Sequence, residues 1–170
     1  MSVTGLLLTG GYGPGRSDLE PFLGEVGPIV AADSGFDLAL ALGLRPELIV
    51  GDMDSVRARL PQERVRRFPR DKEFTDTELG LQALKDLGCD RVVIAGGGGG
   101  RLDHLLFIVA LFERETVPLC WITAHEHVEA IRGTAAYRGW VGQTVSFLPL
   151  SQGAAIERSE GLRWPLDGLR

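Results

Sequence analysis

Two acidic stretches carry the clearest chemistry in the chain: Gly51-Asp52-Met53-Asp54-Ser55 and Asp71-Lys72-Glu73-Phe74-Thr75-Asp76. Carboxylates are hard oxygen ligands, and Mg²⁺ is usually held by one or two of them while phosphate oxygens and water complete its octahedron. In Asp52-Met53-Asp54 the aspartates are one residue apart, so an extended backbone sends both side chains off the same face. Two anions placed that way repel unless a cation neutralises them. Asp71 and Asp76 open a loop and a helix downstream of a short strand near Val65 to Phe68. The expected metal ligands are Asp52, Asp54, Asp71 and Asp76, with helix capping by Asp54 and Asp76 as the alternative.

A second feature is the run Gly96-Gly97-Gly98-Gly99-Gly100, set between an apolar strand and Arg101-Leu102-Asp103-His104 at the head of a helix. Consecutive glycine N–H groups and a helix N-terminus can cradle phosphate, with the Arg101 guanidinium as a forked donor. A plain surface turn would need the glycines but not the arginine behind them. The spacing is not GxGxxG, so a dinucleotide fingerprint is not expected.

The remaining features are weaker. Gly10-Gly11-Tyr12-Gly13-Pro14-Gly15-Arg16-Ser17 approaches the P-loop spacing, but arginine replaces the lysine, Pro14 removes a donor and Pro21 is expected to interrupt the next helix. Asp33-Ser34-Gly35 ends the second strand, where its carboxylate either caps a helix or faces a nucleotide. His125-Glu126-His127 reads as a polar connection, because no third metal ligand stands nearby. No GxSxG elbow, HExxH helix or nucleophilic cysteine context is present.

These residues need a sheet to position them. Gly5 to Thr9, Pro28 to Ala32, Glu47 to Val50, Arg91 to Ala95 and Pro118 to Thr123 read as strands. Ser17 to Leu23, Phe36 to Leu42, Thr75 to Leu87 and Leu102 to Phe112 read as helices. Thr75 or Asp76 caps the third helix, and Gly43 and Gly88 end the second and third. Such alternation predicts a doubly wound α/β domain over residues 1–125, with a mostly parallel sheet and helices on both faces. Its ligands belong at the carboxyl ends of the strands.

Beyond residue 126 the pattern becomes all-β: Val128 to Arg132, Ala136 to Trp140, Thr144 to Leu148 and Ala154 to Arg158 are strand-like runs parted by glycines. Roughly 45 residues of this kind cannot close two sheet faces. Residues 126–170 therefore read as a partial β-sandwich, completed by a partner chain or by further sequence.

Composition excludes several classes. The chain has 170 residues, 44% hydrophobic and 24% charged, which suits one globular domain and a fraction. A net charge of -5 without a basic run argues against nucleic-acid binding. The densest cationic stretch, Arg57 to Arg70, is expected to be a solvated helix face. Cys89 and Cys120 lack CxxC spacing and read as reduced structural thiols. Leu6 to Thr9 is too short for a signal core or a membrane span, so a cytoplasmic location without membrane attachment is expected.

The order of the motifs, Ala32-Asp33-Ser34-Gly35, then LRPELIVGDMDS at 44–55, DKEFTD at 71–76 and GGGRLDH at 98–104, resembles the thiamine pyrophosphokinase family. The resemblance runs in order from residue 1 to about 125, and continues faintly through Ser146 to Leu150 and Gly161 to Leu166. It implies an α/β nucleotide-binding domain followed by a β-sandwich, a homodimer, and transfer of pyrophosphate from ATP to the hydroxyl of thiamine with release of AMP. It further implies that Asp52, Asp54, Asp71 and Asp76 hold Mg²⁺ and the triphosphate. Arg101 and Asp103 would stand at the phosphates in transfer, with Asp76 or Asp103 assisting the alcohol. Asp33, Ser34, Lys72, Gly98, Gly99, Gly100 and His104 would line the nucleotide. Ser34 replaces the family's usual glycine and Glu73 its usual aspartate, and the family's later Ser-Asn stretch has no counterpart here. Two alternatives follow: the same chemistry on another small alcohol such as a hydroxymethylpterin, or a nucleotide-binding module without catalysis.

Overall fold

The computed structural model describes residues 2–114, 119–150 and 154–168. The chain separates into two compact units, Met1–Ala130 and Ile131–Arg170. In the first, the elements run β1 (Thr4–Leu8), α1 (Arg16–Leu23), β2 (Val26–Ala32), α2 (Gly35–Ala41), β3 (Leu48–Gly51), a 3-10 turn at Gln62–Arg64, and β4 (Val65–Arg67). They continue through α3 (Asp76–Asp86), β5 (Arg91–Ala95), α4 (Leu102–Arg114), β6 (Leu119–Ile122) and β7 (His127–Glu129). Pro118, where the sequence places the start of the sixth strand, lies outside the described residues.

The seven strands form one sheet in the order β4-β3-β2-β1-β5-β6-β7. All neighbours are parallel except β6 and β7, which pair antiparallel with Trp121 opposite Val128. Alternation of side chains along the buried strands sends Leu7, Val30, Val50, Val92 and Ile94 to one face, packed with Leu81 and Leu84 of α3 and Ile108 and Leu111 of α4. Leu6, Leu8, Ala31, Ile49 and Val93 point to the other face, packed with Leu19 of α1 and Phe36 and Ala39 of α2. Both faces are thus covered, as near-continuous apolar strands require.

The order in which strands are added reverses at β1: the strands to β4 build outward on one side, and β5 returns to its other side. Such a switch point leaves a crevice at the carboxyl ends of the strands. The loop after β1 and the glycine run after β5 meet there through a paired Tyr12 and Gly98.

Local signals explain the helix ends. Thr75, rather than Asp76, caps α3: its hydroxyl accepts the Glu78 N–H at 3.2 Å while the Glu78 carboxylate accepts the Thr75 N–H at 3.0 Å, a capping box. Gly43 and Gly88 follow α2 and α3 with φ of 68° and 84°, and the next residues, Leu44 and Cys89, donate back to Ala39 and Leu84. Pro21 lies inside α1 without breaking it, since so short a helix loses one bond at most.

Two expectations change. Residues 57–70 form no helix; Pro61 and Pro69 disfavour one, and this segment holds an irregular loop, the 3-10 turn and edge strand β4. The Asp37 carboxylate anchors the loop by accepting the N–H groups of Arg57 and Ala58, each at 2.9 Å. Of the expected later strands, Val128 to Arg132 is represented by β7, whereas Ala136 to Trp140, Thr144 to Leu148 and Ala154 to Arg158 are not strands among the described residues. Gly133, Gly139 and Gly142, at φ of 95°, 80° and 85°, turn the backbone every few residues. Within this second unit Ser159 and Asp167 tie one turn, and Tyr137 stacks on Trp140 with ring centroids 4.7 Å apart.

Candidate active site

The ends of β2 and β3 and the start of α3 converge on three carboxylates. Asp33, Asp52 and Asp76 each bring one oxygen within 4.8 Å of the others. At an effective dielectric of about 20, unit charges at that spacing repel by roughly 3 kcal/mol per pair. Gly51, which ends β3, makes the approach possible. It adopts φ 139°, and a Cβ there would lie 2.9 Å from Asp76 Oδ1 and 3.2 Å from the Asp33 Cβ.

Each carboxylate has its own environment. Asp33 is 9% exposed, with φ 47°, and its Oδ1 has no hydrogen-bond partner. Burial pushes its pKa above the usual carboxylate value, and Asp52 and Asp54 push the same way against hydrogen bonds from Ser34 and Ser55. Burial likewise raises Asp76, against the pull of Lys72 and with further repulsion from Asp33 and Asp52. Asp52 is held low, chiefly by the Asp54 N–H, which donates to its Oδ1 at 3.1 Å, and then by Lys72.

Lys72 supplies the cluster's cation. Its Nζ lies 3.2 Å from Asp76 Oδ1 and 3.6 Å from Asp52 Oδ2, with a side chain only 13% exposed. The contact to Asp76 is an ion pair without hydrogen-bond geometry, so Asp76 Oδ1 is buried with no hydrogen bond. One ammonium against three carboxylates leaves negative charge and two orphaned oxygens in one place. That donor set, hard and under-neutralised, fits a divalent cation.

The carboxylates that come together are not the same four that the sequence offers as ligands. Asp52 and Asp76 belong to the cluster; Asp54 and Asp71 do not, and Asp33 joins instead. Met53, at φ 68°, breaks the extended geometry that would align Asp52 with Asp54. The chain turns so that Asp54 donates its N–H to Asp52 and directs its carboxylate to Ser55 Oγ at 2.8 Å and Arg70 Nε at 3.7 Å. Asp71 is exposed at the start of its loop. Asp33 does not cap α2: Ser34 is the cap residue, without a side-chain capping bond. The signal that could have placed Asp33 was its position, an aspartate directly after a buried strand at the same sheet edge as Asp52.

The glycine loop is more tightly committed to the fold than its composition suggests. Gly96, Gly97 and Gly98 donate their N–H groups to Ile122, Gly10 and Tyr12 carbonyls. Trp121 Nε1 donates to Gly96 O at 2.7 Å, fixing the loop from beneath. Gly99 and Gly100 are exposed beyond that pairing. Arg101 and Asp103 form an exposed fork, Nε to Oδ1 at 3.0 Å with a second bond beside it; each holds the other in its charged form. His104 is exposed one residue on.

The other sequence candidates serve the fold. Arg16 donates to Leu42 O at the end of α2, a favourable place for a cation, rather than facing a phosphate. His125 and Glu126 form the turn between β6 and β7, with Thr123 as its hydrogen-bonding centre. His127 Nε2 lies 3.0 Å from Cys120 Sγ, and burial pushes that thiol up to about 12. Both cysteines are free and buried.

Fold and site together define a doubly wound α/β domain with a cation-ready carboxylate cluster beside its switch point. The sequence model of the thiamin pyrophosphokinase catalytic domain matches residues 21–119, more than half of the chain, and the chain belongs to that family, a family of transferases. Thiamine pyrophosphokinase from Bacillus subtilis is similar in structure, with a TM-score of 0.56 and 26% identity over 73% of this chain and 62% of that one. A thiamin pyrophosphokinase family protein from Enterococcus faecalis gives 0.60 and 29%, over 75% and 64%. Thiamin pyrophosphokinase from Candida albicans, at 14% identity and a TM-score of 0.58 over 74% and 60%, shares the fold. The chain spans less than two thirds of the length of each of these structures. No curated protein matches it. No helix among the described residues is long and apolar enough to cross a membrane.

Proposed function

We propose that the first unit binds ATP with Mg²⁺ at the carboxyl edge of its sheet and transfers a pyrophosphoryl group to the hydroxyl of thiamine, giving thiamine diphosphate and AMP. The observation that carries this reading is the Asp33, Asp52 and Asp76 cluster with its two orphaned, buried oxygens, in a chain of this family. Those three carboxylates would hold the cation, which when bound neutralises phosphate oxygens and stabilises charge developing between them. The chain's own residues do the positioning. Lys72 supplies a nearly buried positive charge beside the cluster. Arg101, held by Asp103, offers a planar donor fork to the phosphates. Asp33, Ser34, Gly99, Gly100 and His104 line the nucleotide's approach. Asp103 is pinned as an anion by Arg101 and orients that guanidinium rather than taking a proton.

Phosphoryl transfer asks mainly for alignment of an attacking hydroxyl with a neutralised leaving group, which a rigid sheet edge supplies. The acceptor and a homodimeric assembly belong to the same proposal. The second unit exposes Val141, Leu148 and Trp164, apolar surface suited to a second chain. Two free buried thiols suit a reducing, cytoplasmic setting. Incubation with ATP, Mg²⁺ and thiamine should release AMP and thiamine diphosphate in equal amounts. ADP in place of AMP would overturn the chemistry, acceptance of a hydroxymethylpterin in preference to thiamine would overturn the substrate, and ATP binding without turnover would leave a nucleotide-binding module.

A further inference from the structure

Lys72 occupies an unusual position for a nucleotide-site lysine. Its ammonium lies between two carboxylates of the cluster, 3.2 Å from Asp76 Oδ1 and 3.6 Å from Asp52 Oδ2. A divalent cation held by those carboxylates would take the oxygens that the ammonium now faces. The two positive charges compete for one place.

The cluster itself is more than a group of acids. Asp33, at 9% exposure, directs a carboxylate oxygen into it and leaves Oδ1 without a partner. Lys72 is also tethered through the chain: it stands four residues before Asp76, the first residue of α3, whose start is capped by Thr75 and Glu78.

We infer that Lys72 is a resident counter-ion that makes metal and nucleotide binding interdependent: it satisfies the carboxylates in the cation-free chain, resists entry of a bare divalent cation, and yields when a phosphate chain arrives to receive its ammonium. This rests on the reading of the cluster as the cation site. A cation arriving alone must push Lys72 from two anions into water. A cation arriving with a triphosphate gives Lys72 a new anionic partner, so the displacement is offset. Coupling between two ligands is reciprocal, so the nucleotide should also bind weakly without the cation.

The test uses the full chain and two probes, Mn²⁺ and α,β-methylene-ATP, whose bridge resists cleavage. Mn²⁺ binding is followed by electron paramagnetic resonance, and nucleotide binding by calorimetry with and without Mg²⁺. Lys72→Met should bind Mn²⁺ alone about tenfold more tightly than the wild type and should bind the analogue more weakly with Mg²⁺ present, so that the coupling between the two falls by about tenfold or more, within the usual range for coupled sites. Lys72→Arg keeps the charge and should retain most of the coupling, a result that also separates the role of charge from folding. Cation-stripped Lys72→Met should melt lower than wild type and regain more on addition of Mn²⁺. Equal Mn²⁺ affinity and equal coupling in wild type and Lys72→Met would overturn the inference while leaving the cation site intact. Mn²⁺ affinity unchanged in Asp76→Asn, or no Mn²⁺ binding in wild type and Lys72→Met alike, would overturn the cation site and the inference with it.

Discussion

The two sides of the crevice handle charge in opposite ways. Toward β3 and α3, three carboxylates and one lysine are drawn together in a half-buried group, and two oxygens are left without hydrogen bonds. Toward β5 and α4, Arg101 and Asp103 neutralise each other in the open. The first arrangement stores repulsion that a cation would relieve. The second stores little, because exposed ion pairs contribute at most about 1 kcal/mol. In the proposed function, the first side binds the cation and the second orients phosphate.

That contrast can be broken by substitution. Asp76→Asn removes a cluster ligand and should lower turnover by about 10²–10³-fold, the scale of losing a main electrostatic contact; loss below about threefold in steady-state AMP release would place the cation elsewhere. Arg101→Ala should also slow turnover, by about 10–100-fold, while denaturant unfolding stays close to that of the wild type. A large stability loss there would mean the fork holds the fold rather than substrate.

Gly51→Ala sharpens the acidic side through the backbone. Its φ of 139° and the 2.9 Å approach to Asp76 Oδ1 leave no room for a methyl group, so unfolding should become easier by about 1–3 kcal/mol. Wild-type stability in urea titrations would show that the sheet edge can relax.

The smallest effect is on pH dependence. Asp33 and Asp76 titrate above 3.8 in the folded, cation-free chain, so folding favours their protonated forms. Their contribution is complete below 3.8 and is lost as pH rises through the folded values. Asp52 works in reverse, contributing above 3.8 and fading as pH falls below it. In EDTA, melting temperature should therefore fall as pH rises from 3.8 through the raised folded values of these two carboxylates, and Asp33→Asn should flatten that slope. An unchanged slope in the variant would contradict the burial of Asp33.

Legibility followed the reach of local rules. β5 lies where its apolar run predicts, Arg91–Ala95, and the capping signals at Thr75, Gly43 and Gly88 operate as written, because each depends on a few adjacent residues. Asp52 follows β3 at its carboxyl end, where the strand pattern places it. Which aspartates meet depended on one residue, Met53, whose left-handed φ of 68° turns Asp54 away, and on the spacing of β2 and β3, which brings in Asp33. The glycine run read as a cradle whose N–H groups await an anion, but Ile122, Gly10 and Tyr12 carbonyls take the first three, a tertiary pairing that the sequence does not announce. Beyond β7, alternating apolar residues announced strands without specifying partners. Strand pairing is a tertiary event, and a period of two does not by itself supply one.

The central claim is that Asp33, Asp52 and Asp76 hold the divalent cation, and Mn²⁺ titration of five single variants tests it most directly. Asp33→Asn, Asp52→Asn and Asp76→Asn should each weaken Mn²⁺ binding in the presence of α,β-methylene-ATP by about tenfold or more, the scale of losing a direct or supporting ligand. Asp54→Asn and Asp71→Asn should bind as the wild type does. Losses at Asp54 and Asp71 with Asp33→Asn unaffected would contradict the account.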